Sequence, residues 1–144
     1  MDDGVGRGTV LVVEDEYLLA IEIEANLREL GFNPVFLASS LDEGRNYLRS
    51  HSLRLAVLDV NVGSELVFPL ATDVAVMGIP IIFSTAWPAH EFPIEWAHYP
   101  ILQKPWLTAT LKRVLDARGG GVDALSPSAV IASRTGQRSA NLSP

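Results

Sequence analysis

Cysteine is absent from the 144 residues, which excludes disulfides and thiolate metal sites. Charge is also sparse, at 19% of residues, and the net charge of −6 has the wrong sign for a nucleic-acid binder. Phosphate backbones call for a basic face. No apolar run reaches the roughly 20 residues of a membrane span. Met1-Asp2-Asp3-Gly4 has none of the basic-then-apolar character of a signal segment. Together these absences favour a cytoplasmic protein with neither nucleic acid nor membrane as partner. An apolar fraction of 48% is present instead, which suits one compact domain with its own core.

Short aliphatic runs alternate with stretches of helical period. Strands are expected at about 9–13, 34–37, 55–59, 79–84 and 101–103, and helices at about 16–30, 40–50, 65–77 and 108–118. Leu18, Leu19, Ile21, Ile23, Leu27 and Leu30 form the apolar set of the first helix, and Gly31 suits its end. Ser39 or Ser40 would cap the second helix and Thr108 the last. Pro88, Pro93 and Pro100 argue against a long helix between the fourth and fifth strands. The alternation predicts an α/β fold: a flavodoxin-like, doubly wound, five-stranded parallel sheet with a shortened or irregular fourth helix. Residues 1–8 read as a flexible arm and 9–118 as the folded domain. Beyond Gly119-Gly120-Gly121, residues 119–144 read as a flexible tail.

In such sheets ligand chemistry collects beyond the carboxyl ends of the strands. Glu14 and Asp15 follow the first run, Asp59 ends the third and Lys104 follows the fifth. Three crowded carboxylates are costly, and one lysine cannot balance them. A hard divalent ion with oxygen ligands, most plausibly Mg2+, resolves the conflict. Asn61 is placed to add a backbone carbonyl to the metal shell. Asp59 suits a nucleophile that accepts a phosphoryl group, Thr85 a hydrogen-bond donor to its oxygens, and Lys104 a mobile ion-pair partner.

Each residue also has a plainer role. Glu14-Asp15 could favour a helix dipole, Asp59 and Asn61 could form a turn, and Ser84 could close one. His51, His90 and His98 lack metal-ligand spacing and read as surface residues. Trp87 and Trp106 flank the pocket and suit a partner-facing apolar patch.

The ordered set of Glu14-Asp15, Asp59, Thr85 and Lys104-Pro105 resembles the receiver domain of two-component response regulators over about residues 9–118. The resemblance implies that Asp59 accepts a phosphoryl group from a histidine kinase or phosphotransfer protein. Asp15, Asp59 and the Asn61 carbonyl would hold Mg2+, with Glu14 helping through water, while Thr85 and Lys104 read the phosphoryl group. Pro80-Ile81-Ile82-Phe83-Ser84-Thr85-Ala86-Trp87 is similar to the Pro-Phe-x-Phe-Ala-Thr-Gly-Tyr signature of the FAT GUY group of stand-alone receivers. Ser84 stands there for Ala, Ala86 for Gly and Trp87 for Tyr. Most receivers carry an aromatic switch residue three positions before the lysine, where this chain has Ile101.

The expectation is therefore a single-domain response regulator, self-phosphorylating and autodephosphorylating at Asp59 with Mg2+, rather than a conventional turnover enzyme. It would signal by phosphorylation-dependent protein contact or phosphate relay. The alternative is a phosphorylation-independent docking module on the same fold. A dehalogenase-type phosphatase is a distant third, since Asn61 holds the position where such enzymes need a second Asp.

Overall fold

The computed structural model describes residues 6–117. Five strands form one parallel sheet: β1 (Gly8–Val13), β2 (Phe32–Ala38), β3 (Leu55–Asp59), β4 (Ile81–Thr85) and β5 (Ile101–Gln103), in the order β2-β1-β3-β4-β5. Four α-helices connect or follow them: α1 (Tyr17–Glu29), α2 (Leu41–Ser50), α3 (Phe68–Val76) and α4 (Thr108–Asp116). The expected five-stranded, doubly wound parallel architecture is the one observed. Strand order reverses between β1 and β3, so the crevice of such a fold opens where Glu14, Asp15 and Asp59 emerge.

Both faces of the sheet are covered, which is why the central strands β3 and β4 are buried along their whole length rather than alternating, whereas the edge strands β2 and β5 are partly exposed. Leu11, Val13, Leu58, Ile81 and Phe83 point to one face, where Leu48 of α2 and Leu70 and Val74 of α3 meet them. Val10, Val12, Val57 and Ile82 point to the other, against Ile23 and Leu27 of α1 and Leu111 and Leu115 of α4. Among the described residues no helix is long and apolar enough to cross a membrane.

Several local expectations need revision. The inward stripe of α1 is Ala20, Ile23 and Leu27, whereas Leu18 is 78% exposed and Ile21 also faces out. Positions 18 and 21 belong to a neighbouring helical stripe, offset from 20, 23 and 27. Ser40 caps α2 by accepting from the Glu43 N–H. The Glu43 carboxylate in turn accepts from the Ser39 N–H and hydroxyl, a reciprocal capping arrangement that lowers its pKa. Thr108 is not a cap: Leu107 precedes α4 without a side-chain bond. Residues 65–66 belong not to a helix but to a small antiparallel ribbon, Asn61–Val62 against Glu65–Leu66. Pro69 does sit in the first turn of α3.

Of the residues 1–8 expected as an arm, Arg7 and Gly8 are held by the folded domain. Gly8 already starts β1, the Arg7 N–H donates to the Gly31 carbonyl, and the Arg7 guanidinium pairs with Asp116 at 2.9 Å. Residues 1–5 and the expected tail 119–144 lie outside the described residues.

Between β4 and β5 the chain makes two single 3-10 turns, Ala89–Glu91 and Ile94–Trp96. Rings, rather than a helix, hold the segment. Phe92 and Trp96 pack on Phe68 of α3 and Phe83 of β4, with centroids 5.2–6.0 Å apart, and Tyr99 joins Phe83 and Trp96.

Gly44 lets α2 approach closely: a Cβ there would lie 2.8 Å from Leu70 Cδ2 and 3.2 Å from Val13 Cγ2, both buried. Overfilling such a site costs about 1–3 kcal/mol. Gly44→Val should therefore lower the urea midpoint by an amount equivalent to about 2 kcal/mol or more. An unchanged midpoint would mean that α2 does not sit this close to α3 and β1.

Candidate functional site

Glu14 leaves β1 at the carboxyl edge of the sheet, its N–H held by the Ala38 carbonyl of β2. Its side chain turns inward and is only 3% exposed. Asp59 ends β3 and is 7% exposed. The Lys104 ammonium, just past β5, lies 3.2 Å from Glu14 Oε1 and 3.2 Å from Asp59 Oδ2. Carboxylates 90 and 45 positions before Lys104 thus share its one ammonium. Asp15 is exposed at the rim, where its Oδ2 accepts from the Gly63 N–H at 2.7 Å. Gly63 adopts a φ of 63° with open space around it, a left-handed conformation that glycine takes without strain.

Two buried carboxylates around one ammonium leave a negative charge uncompensated. Burial pushes the Glu14 carboxyl up to about 7, and the Asp59 charge adds to the rise. The Glu16 N–H, which donates to Glu14 Oε2 at 3.1 Å, and Lys104 oppose it without cancelling it. For Lys104, burial alone lowers the pKa, yet the attraction of Asp59 and Glu14 outweighs it and holds the ammonium above its ordinary value.

Carboxylate oxygens of Glu14, Asp15 and Asp59 lie within 4.8 Å of one another. An all-oxygen donor set with surplus negative charge suits a hard divalent ion, and Mg2+ in particular, which keeps several waters and needs few protein ligands. Asn61 opens the ribbon, and its N–H points at Asp59 Oδ1 at 3.4 Å.

Thr85 ends β4 and is almost wholly buried. Its Oγ1 accepts from the Trp87 N–H at 2.9 Å, and its carbonyl accepts from the Lys104 N–H at 2.7 Å. Gln103 Nε2 donates to the Trp87 carbonyl. Trp87 is thus tethered through both its backbone groups to residues adjoining the pocket.

The structure brings Glu14, Asp15, Asp59 and Lys104 together, with Asn61 and Thr85 alongside. Trp87 and Trp106, expected to form an apolar patch, are both half-buried. Trp87 has its ring edge toward Phe68. Trp106 packs on the α1–α4 core and donates its indole N–H to Ser84 Oγ at 3.0 Å. Ser84, expected only to close a turn, is therefore a buried acceptor. Serine in place of the signature's alanine was the one sequence signal of that pairing. Of the histidines, His51 is exposed yet packs against the Phe36 ring at 4.4 Å, while His90 and His98 are surface residues.

No protein-family model matches the chain, and no curated protein is significantly similar in sequence. Solved structures do match. The solution structure of SdrG from Sphingomonas melonis Fr1 is 30% identical with a TM-score of 0.68, over 76% of this chain and 94% of SdrG. The PhyR stress response regulator is 28% identical with a TM-score of 0.62, over 72% of this chain but only 42% of PhyR. TrrA from Thermotoga maritima, a response regulator solved with Mg2+-BeF, shares the fold at 21% identity and a TM-score of 0.67, over 76% of this chain and 97% of TrrA. With nearly the whole of SdrG matched at that identity, and the strand order and pocket described above, the chain belongs to the receiver-domain family of response regulators.

Proposed function

We propose that this receiver takes a phosphoryl group on Asp59 from a histidine kinase or phosphotransfer protein and passes its state on by protein contact or relay. The observation that carries the proposal is the Lys104 ammonium 3.2 Å from both Asp59 and Glu14. That arrangement holds a cation beside a nearly buried carboxylate at the crevice where the strand order reverses.

In the transfer an Asp59 oxygen forms a bond to phosphorus as the P–N bond of a phosphohistidine breaks, and the freed imidazole keeps the bonding pair. Such chemistry is largely positioning and charge neutralisation. Glu14, Asp15, Asp59 and the Asn61 carbonyl would hold Mg2+, which neutralises charge on the transferring oxygens when bound. Lys104 would shift from Asp59 to a phosphoryl oxygen, and Thr85 would donate its hydroxyl to another. Because the Thr85 oxygen holds the Trp87 N–H, a turn of that hydroxyl bears on the segment between β4 and β5. SdrG has been solved in a BeF3-activated conformation and TrrA with Mg2+-BeF, which supports a phosphoryl and metal site in this chain too. The absence of cysteine and of a membrane-crossing helix among the described residues is compatible with a cytoplasmic setting.

Incubation with acetyl phosphate and Mg2+ should add one phosphoryl group by intact mass, and Asp59→Asn should abolish it. Persistent stoichiometric labelling of the variant would remove Asp59 from the role. Absence of labelling in the wild-type chain, with acetyl phosphate and with a purified kinase, would favour the docking module.

Proton and metal compete for Glu14. Its folded pKa of about 7 lies above the ordinary value. The stabilisation from that proton is present at low pH and is lost as pH rises through about 7. Mg2+ affinity moves the opposite way. It should be about tenfold tighter at pH 8 than at pH 6, the ratio expected when one group of this pKa must deprotonate. Calorimetric titration at the two pH values checks this, and equal affinities would place Glu14 outside the metal's reach.

A further inference from the structure

Ser84 lies beside Asp59 in the register of β3 and β4, and it is 1% exposed. A hydroxyl so deeply buried needs a partner, and the Trp106 indole N–H supplies one at 3.0 Å. Trp106 stands two residues beyond Lys104, in the loop entering α4. Strand β4 therefore grips the lysine segment twice. The Thr85 carbonyl accepts the Lys104 N–H at 2.7 Å, and the Ser84 hydroxyl accepts the indole just past it.

The lysine stem between those grips is long and rich in rotamers. Its ammonium nevertheless bridges two carboxylates while the side chain is 22% exposed. A bridging geometry of this kind is held at low entropic cost only where the backbone that carries the stem is fixed. Indole has a donor and no acceptor, so the bond exists only if an acceptor faces it from β4. The alanine of the signature described above would provide none.

We infer that Ser84 and Trp106 are positioning residues: their hydrogen bond fixes the Lys104 loop so that the ammonium stays between Glu14 and Asp59. The inference deepens the proposed function and rests on it for any effect on phosphoryl chemistry, though not for the geometry itself. Ser84 touches no reacting atom. It acts through Lys104.

The test uses the sequence's own internal standard. Lys104 and Lys112 are the only lysines in the chain, and Lys112 is exposed on α4. The full-length, metal-free protein is treated briefly with N-succinimidyl acetate, and acetylation of Lys104 relative to Lys112 is read by peptide mass spectrometry. Two variants are compared with wild type. The double variant S84A/W106F removes donor and acceptor together and leaves no orphaned polar group. Trp106→3-benzothienylalanine keeps the ring's shape and replaces its N–H by sulfur.

In both, the Lys104-to-Lys112 ratio should rise about fivefold, the population change that loss of one ordinary hydrogen bond produces. The double variant should melt somewhat lower, because phenylalanine fills less of the space that Trp106 occupies on the core. An unchanged ratio in either variant that still melts cooperatively overturns the inference, because a merely structural bond would alter melting without freeing the amine. Should S84A/W106F fail to fold, the isosteric variant carries the test. Acetyl phosphate labelling of the same samples separates the two claims. A raised ratio with no labelling of wild type supports the positioning role while removing the phosphoacceptor role. Labelling with an unchanged ratio does the reverse.

Discussion

Two carboxylates withdrawn from water share a single ammonium at the carboxyl edge of the sheet, and that shortage of positive charge organises everything around it. Glu14 responds by holding its proton to near neutrality. Lys104 responds by staying charged against its own burial. A buried ion pair of this kind contributes little net stability, because desolvation offsets most of the attraction. Under the proposed function its value lies in being unsettled: a cation or a phosphoryl group entering the crevice would find partners whose present arrangement is easily exchanged.

The fold supplies this tension at low cost because of where its strands end. β1 and β3 lie side by side with the chain leaving them in opposite directions, so their terminal residues meet without a loop crossing between them. The apolar packing on both faces fixes the register that sets Asp59 level with Ser84 and Ser84 level with Leu102. A one-residue slip would send each of these side chains to the opposite face. Precision at the pocket is therefore a property of the two cores rather than of the pocket itself.

Much of this was legible in the sequence. The aliphatic runs gave the strands because a doubly covered parallel sheet needs unbroken apolar stretches. Acidic and basic residues at their ends were expected to meet and do, because such folds bring those ends to one crevice. Other features were hidden for physical reasons. Leu18 and Ile21 sit in an apolar helix pattern, yet only tertiary packing decides which of two adjacent stripes turns inward. Glu65 and Leu66 fit a helical stretch by composition, but Gly63 at positive φ turns the chain back on itself to pair them with Asn61 and Val62. The bonds from Trp106 to Ser84 and from Gln103 to Trp87 join residues 22 and 16 positions apart; Ser84 departs from the signature's alanine, but nothing local names its partner.

The segment between β4 and β5 is secured differently from the rest of the domain. Its peptide bonds close only isolated three-residue turns, while its rings are anchored on Phe68 and Phe83. An α-helix yields cooperatively, several hydrogen bonds at a time. A row of ring contacts has no such threshold, so each aromatic residue can slide or tilt while its neighbours remain seated. The segment is thus built for graded displacement rather than for the all-or-none melting of a helix.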